Sequence, residues 1–84
     1  PRADRMSYDA IYIDGSHKTL DALVDILLSW QLLDVNGIMA IDDYQWSDGS
    51  GNIPRPAIDY FIERFNSELE IVSIGYRMYL RKIK

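Results

Sequence analysis

Residues 8–17, YDAIYIDGSH, form an apolar stretch that ends abruptly on an acid, a glycine, a hydroxyl and the chain's one histidine. The run Ile11-Tyr12-Ile13 is β-branched and aromatic, which is typical of a strand buried on both faces in a parallel sheet. Asp14 then stands at the carboxyl end of that strand. Open α/β sheets bind their ligands at this end, because the connecting loops spread apart there and the next helix presents its amino terminus.

A second strand with the same kind of ending follows one helix later. The pattern predicts a helix from about Leu20 to Leu33, with Thr19 as its N-cap and Gly37 in a left-handed conformation beyond its end. The apolar run Ile38–Ile41 follows and stops on the acidic pair Asp42–Asp43. Strand, helix and strand with short connections form a right-handed βαβ unit, so the two strands are expected to be parallel neighbours.

The rest of the chain predicts a second helix and a hairpin. Pro54 and Pro56 suit the first turn of a helix, and apolar residues then recur at helical spacing as far as about Ser67. Residues 69–74 and 77–81 predict an antiparallel hairpin at the end of the sheet. The sequence therefore predicts an α/β domain with two parallel strands, a C-terminal antiparallel hairpin and two main helices.

Composition limits the functions that this chain can have. Its 84 residues allow one domain at most, and a net charge of −4 argues against nucleic-acid or anionic-membrane partners. The absence of cysteine excludes a thiolate nucleophile and a disulfide framework. No apolar run is long enough to span a bilayer, so we expect a cytoplasmic protein, and the first residue, Pro1, suggests a fragment whose upstream part is missing.

The first predicted helix carries more apolar surface than one sheet can cover. Its polar residues Asp21, Asp25 and Ser29 form one narrow stripe, and apolar residues occupy most of the remaining circumference. A surface helix needs an apolar arc of only about 100°. Either a partner subunit or a neighbouring part of a larger domain should cover the surplus, and we predict a homo-oligomer formed through the helix Leu20–Leu33.

Three carboxylates and an imidazole are predicted to meet at the sheet edge. Asp14, Asp42 and Asp43 would lie close together, and like charges about 4 Å apart repel unless they are protonated, bridged by a cation or splayed into water. Oxygen ligands of this kind suit Mg²⁺ or a similar divalent ion. Alternatively, Asp14 caps the following helix and Asp42 and Asp43 form a turn.

Other side chains near this edge are candidates for catalysis and binding. His17 could act as a general base near neutral pH, although a loop histidine is often an ordinary solvated residue. Tyr44 and Trp46 are predicted to line a substrate pocket, with simple packing as the alternative. Tyr12 is predicted to lie in the core.

The succession of these pieces resembles the second half of class I S-adenosylmethionine-dependent methyltransferases. The nearest pattern is that of small-molecule O-methyltransferases, D-x-x-x-IDG-x-H followed by LL-x-x-GG-x-hhh-DD-Y. Residues 8–17, 32–38 and 40–44 carry the resemblance. It implies a partial Rossmann-like sheet, S-adenosylmethionine as cofactor, and methyl transfer to a hydroxyl of a small-molecule acceptor.

The resemblance also implies roles for single residues. Asp14, Asp42 and Asp43 correspond to the Mg²⁺ ligands of metal-dependent members, and Asp14 also stands where the cofactor is contacted. His17 corresponds to the base that deprotonates the acceptor in some sugar-modifying members. One departure is Asn36, which stands where the family usually has glycine.

A larger departure concerns the cofactor cradle. The glycine-rich loop after a first strand and the acid that holds the ribose do not occur in this sequence. We therefore expect the 84 residues to be the C-terminal part of a methyltransferase domain without its N-terminal, cofactor-binding half, inactive without the missing half. A non-catalytic oligomerising α/β module and a carboxylate-metal hydrolase are the alternative functions.

Overall fold

The computed structural model describes residues 8–14 and 17–84, which form a mixed four-stranded sheet and two helices. The elements in chain order are β1 (Tyr8–Ile13), α1 (Thr19–Leu32), β2 (Leu33–Ile41), α2 (Pro54–Arg64), β3 (Leu69–Ser73) and β4 (Met78–Lys82). The strand order is β1-β2-β4-β3, with β1 parallel to β2 and β4 antiparallel to both of its neighbours. The predicted α/β class, the parallel pair and the C-terminal hairpin are confirmed.

One face of the sheet packs against the helices and forms the core. Met39 of β2 and Leu80 of β4 are register partners, and neither is exposed. Ile26 and Trp30 of α1 and Phe61 of α2 belong to the same buried cluster. The rings of Trp30 and Phe61 meet edge to face at 5.1 Å, so the two helices are joined through the aromatic centre of this core.

The opposite face of the sheet is much less covered within residues 8–14 and 17–84. Tyr12, Ala40 and Tyr79 are register neighbours across β1, β2 and β4, and Tyr12 is 48% exposed. The prediction that β1 is buried on both faces, with Tyr12 in the core, is therefore wrong. Because β1 is the edge strand and the helices pack on the other face, Ile13 alone is buried among the residues of β1.

The junction of α1 with β2 differs from the predicted turn. The helix ends at Leu32, the strand begins at the next residue, and Asn36 rather than Gly37 has a positive φ, 74°. Residues 34–37 bulge opposite the single residue Asp9 of β1. Asparagine tolerates the left-handed region better than most residues do, which explains why it can occupy this position.

Gly37 is required for space rather than for an unusual φ. A Cβ on it would lie 2.7 Å from Leu33 Cδ1, 2.8 Å from the Asp34 carbonyl oxygen and 2.9 Å from the Asp9 carbonyl oxygen. Two of these atoms belong to the backbone and cannot move without disturbing the β1–β2 pair. We expect Gly37→Ala to lower the free energy of unfolding by about 1–3 kcal/mol, measured by urea denaturation.

Gly75 provides a matched control for this substitution. A Cβ on Gly75 would meet its nearest heavy atom at 3.8 Å, an ordinary van der Waals distance. We expect Gly75→Ala to leave the free energy of unfolding within about 0.5 kcal/mol of the wild-type value. Equal stability of the Gly37→Ala and Gly75→Ala variants would contradict the steric argument.

The amino terminus of α1 is capped from a distant loop. Thr19 was expected as the N-cap, but Lys18 holds that position and no side chain of its own caps the helix. Instead, the Thr19 backbone N–H donates to Asn52 Oδ1 at 3.0 Å, and the Thr19 hydroxyl donates to the Ile53 carbonyl oxygen at 2.6 Å. The segment that follows the acidic pair is thereby fixed to the start of α1.

The surplus apolar surface predicted for α1 is present. Leu20, Val24, Leu28 and Leu32 recur every four residues and are all exposed, Leu20 by 69% and Leu28 by 61%. Self-association through this stripe stays a prediction. No helix in the described ranges combines the length and the apolar character that crossing a membrane requires.

Candidate active site

The two parallel strands end side by side, which brings their acids to one edge of the sheet. The Asp42 backbone N–H donates to the Ile13 carbonyl oxygen at 3.0 Å and continues the β1–β2 pairing beyond the last strand residue. One carboxylate oxygen each from Asp14, Asp42 and Asp43 lies within 4.8 Å of the other two. The βαβ connection thus produces the convergence that the sequence pattern indicates.

Asp43 holds the histidine. His17 Nε2 lies 2.7 Å from Asp43 Oδ2, and the Asp43 side chain is 16% exposed against 44% for His17. A carboxylate can only accept hydrogen bonds, so Nε2 carries the proton in this pair and the lone pair of the neutral ring lies on Nδ1. Asp43 itself has a φ of 64°, a conformation that costs free energy and often occurs at functional sites.

Trp46 restrains the imidazole from its flat side. The rings of His17 and Trp46 stack with centroids 4.0 Å apart and planes 18° from parallel. The Trp46 backbone N–H donates to the Asp43 carbonyl oxygen at 3.1 Å, so a tight turn carries both partners of the histidine. Hydrogen bonding and stacking together fix the position and the tilt of the His17 ring.

Tyr44 lies deeper than Trp46. It is buried, its hydroxyl donates to Asp59 Oδ1 at 2.6 Å, and the Arg55 guanidinium lies 4.8 Å from its ring centroid. Burial, followed by the hydrogen bond to Asp59, raises the pKa of Tyr44. The structure therefore places Trp46 against His17, whereas Tyr44 connects the end of β2 to α2.

Asp42 has partners of its own on the open face of the sheet. The Tyr12 hydroxyl donates to Asp42 Oδ2 at 2.7 Å, and Arg77 Nε lies 3.7 Å from Asp42 Oδ1. The hydrogen bond from Tyr12 is the main cause that lowers the pKa of Asp42, and the charge of Arg77 adds to it. The same hydrogen bond raises the pKa of Tyr12.

The residues just before β4 complete the site, and sequence reasoning missed them. The Tyr76 carbonyl oxygen accepts the Tyr44 backbone N–H at 2.8 Å, and a hydrogen bond to the Asp43 carboxylate raises the pKa of Tyr76. Arg77 begins the segment 77–81 that was predicted as the last strand of the hairpin, and no role in the site was predicted for it. The sequence could have indicated them. If the last strand runs antiparallel to β2, the residues just before it lie at the sheet edge where β2 ends.

Comparison with known proteins identifies the family. Residues 1–44, which are 44 of the 84 residues, match the sequence model of a family described as a methyltransferase domain. This chain belongs to that methyltransferase domain family. No curated protein matches the chain. The matched part of the methyltransferase domain includes β1, α1, β2 and the acidic pair that follows β2.

The acidic cluster of the methyltransferase domain fits a divalent ion only in part. Three hard oxygen ligands lie close enough to share an ion such as Mg²⁺. However, each oxygen of Asp42 faces a protein partner, Tyr12 or Arg77, and Asp43 Oδ2 is engaged with His17. Metal binding by the three acids stays a prediction, and an ion would compete with these contacts for the carboxylate oxygens.

Proposed function

We propose that this methyltransferase domain transfers a methyl group from S-adenosylmethionine to a hydroxyl group of a small molecule, with His17 as the general base. The observation that carries the proposal is the 2.7 Å contact between His17 Nε2 and Asp43 Oδ2. It lies at the carboxyl ends of parallel strands, where open α/β sheets bind ligands. A solvated loop histidine would not need both a carboxylate partner and a stacked indole.

The chemistry divides simply between cofactor and protein. S-adenosylmethionine would supply a methyl group on a positively charged sulfur, which an oxygen nucleophile attacks. As the new carbon–oxygen bond forms, the methyl carbon–sulfur bond would break and its electron pair would stay on sulfur, leaving S-adenosylhomocysteine. His17 Nδ1 would accept the proton of the acceptor hydroxyl, and Asp43 would stabilise the resulting imidazolium through Nε2. The remaining task of the protein is to hold acceptor and methyl donor in line.

The acceptor would lie beside the exposed side of His17. Trp46 covers one face of the imidazole and provides an aromatic wall for the acceptor, while Tyr44 supports this turn from the core. We therefore keep Trp46 as the main pocket residue and assign Tyr44 a supporting role.

The cofactor would approach from the side of β1. Asp14 is exposed at the end of this strand, and we propose that it contacts S-adenosylmethionine. The glycine-rich turn of the cofactor cradle would come from residues outside these 84, next to the exposed edge that Tyr8 and Ala10 form. In this proposal the chain forms the acceptor side of a methyltransferase domain.

A divalent ion is the second candidate for activating the acceptor. The convergence of Asp14, Asp42 and Asp43 within 4.8 Å favours it. A cation held by these carboxylates would polarise and orient the acceptor hydroxyl. Because Asp42 and Asp43 already have protein partners, the histidine mechanism is the one we place first.

The proposed function is tested by transfer of a labelled methyl group. The complete polypeptide encoded with these residues is incubated with S-adenosylmethionine carrying a tritiated methyl group and with a panel of phenols, catechols and sugars. We expect label in a methyl ether of at least one class of acceptor. Binding of S-adenosylmethionine without transfer to any acceptor would contradict the proposal and favour a non-catalytic module.

The placement of the cofactor cradle has a separate test. We expect the 84 residues alone to bind S-adenosylmethionine weakly in a calorimetric titration, because the sequence lacks the glycine-rich loop. Tight binding by the 84 residues would show that the cradle is built differently, without affecting the assignment of His17.

A further inference from the structure

Arg77 is held in place by several groups at once. Its Nε lies 3.7 Å from Asp42 Oδ1, its Nη2 donates to the Tyr12 hydroxyl at 3.3 Å, and its Nη1 donates to the Tyr79 hydroxyl at 3.4 Å. The guanidinium carbon also lies 4.9 Å from the centroid of the Tyr12 ring. An arginine with this many contacts has a more defined position than an ordinary surface arginine.

The contacts of Arg77 change the chemistry of the acidic cluster. Three carboxylates this close together repel one another, and a positive charge at their border offsets part of that repulsion. Arg77 supplies this charge to Asp42, while the Tyr12 hydroxyl occupies the other Asp42 oxygen. A divalent ion that took Asp42 as a ligand would have to compete with Arg77 for Oδ1 or with Tyr12 for Oδ2, and in either position it would lie near the positive charge of Arg77.

We propose that Arg77 is a positioning residue whose guanidinium takes the place of a divalent metal ion beside Asp42. Methyl transfer at this site then requires no metal ion. Arg77 holds Asp42 and Tyr12 in a closed arrangement, and it weakens metal binding by repulsion and by competition for Asp42. This role rests on the proposed function, since it makes methyl transfer by the His17 mechanism independent of metal. This role of Arg77 also favours His17 over a divalent ion as the group that activates the acceptor.

The binding of Mn²⁺, followed by electron paramagnetic resonance of the free ion, tests this role on the 84-residue chain. We expect weak binding by the wild type and an increase in affinity of about tenfold or more in Arg77→Met, because the substitution removes a positive charge beside a ligand oxygen. The double variant that combines Arg77→Met with Asp42→Asn should not show this increase in Mn²⁺ affinity. Wild-type affinity equal to that of Arg77→Met would overturn the proposal.

Arg81 provides the matched control. Arg81 lies on β4, four residues after Arg77, and its Nε forms an ion pair with Glu70 at 3.2 Å. Its side chain is 41% exposed against 44% for Arg77. Arg81→Met should bind Mn²⁺ as the wild type does. If Arg81→Met raised the Mn²⁺ affinity as much as Arg77→Met does, the increase would be a general effect of net charge, and the proposed role of Arg77 would be wrong.

Folding of the variants and the activity are checked separately. Arg77→Gln keeps a polar group beside Tyr12 without the charge, and it replaces Arg77→Met if circular dichroism shows that the methionine variant is unfolded. In the methyl-transfer assay of the complete polypeptide, a chelator should leave the wild-type rate unchanged, and a chelator-sensitive rate would contradict metal independence. Failure of every acceptor would count against the proposed function alone, because Mn²⁺ binding is measured without turnover.

Discussion

Replacement of His17 by asparagine is expected to lower the rate constant of methyl transfer by a factor of about 10²–10⁴. Asparagine can still hydrogen-bond to Asp43, but it has no nitrogen that can accept the proton of the acceptor hydroxyl. The loss should appear in single-turnover measurements with the complete polypeptide, in which methyl transfer is separated from product release. The affinity for S-adenosylmethionine should change little, since the histidine acts on the acceptor.

The matched control for the His17 variant is Arg81→Met, which alters a charged side chain outside the proposed site. We expect this variant to retain the wild-type rate constant. Added imidazole should restore part of the activity of a His17→Ala variant, because a small base can occupy the space that the side chain leaves. A loss below tenfold in His17→Asn would contradict the role of general base.

Replacement of Phe61 by alanine is expected to have the largest effect on stability. Phe61 is completely buried, and its ring meets Trp30 at 5.1 Å and Phe65 at 4.9 Å between centroids. Removal of a buried aromatic ring costs about 3–5 kcal/mol through lost transfer free energy and the cavity left behind. Small domains are stable by only about 5–15 kcal/mol, so much of the total stability should be lost in urea denaturation.

The neighbouring residue supplies the control for Phe61. Tyr60 is an aromatic residue in the same helix, but it is 56% exposed. Tyr60→Ala should change the free energy of unfolding by no more than about 0.5 kcal/mol. Similar losses in Phe61→Ala and Tyr60→Ala would mean that the core is not centred on Phe61.

Much of the candidate site follows from local pattern and one rule of chain connection. Two apolar strands that end on acids, joined through one helix, must be parallel, and parallel neighbours bring their carboxyl ends to the same edge. This is sufficient to predict that Asp14 approaches Asp42 and Asp43. The helices were predicted for similar reasons, and α1 lies within one residue of its expected limits.

The burial of β1 was not predictable in the same way. The composition of Ile11-Tyr12-Ile13 suits a strand that is buried on both faces, but composition does not report which neighbours are present. In the described residues β1 is an edge strand with one covered face, and this leaves the Tyr12 hydroxyl available to Asp42. The left-handed conformation of Asn36 was missed because it was assigned to the next residue, Gly37.

Sequence pattern alone established the α/β class, the parallel pair and the meeting of acids at one sheet edge, because these depend on residues near one another in the chain. Only the tertiary structure decided which side chains partner those acids. Arg77 lies 65 positions from Tyr12 in the chain. The two meet because β4, rather than β3, is the strand that pairs with β2. Whether Asp42 faces a metal ion or a guanidinium depends on that strand order, and no local pattern encodes it.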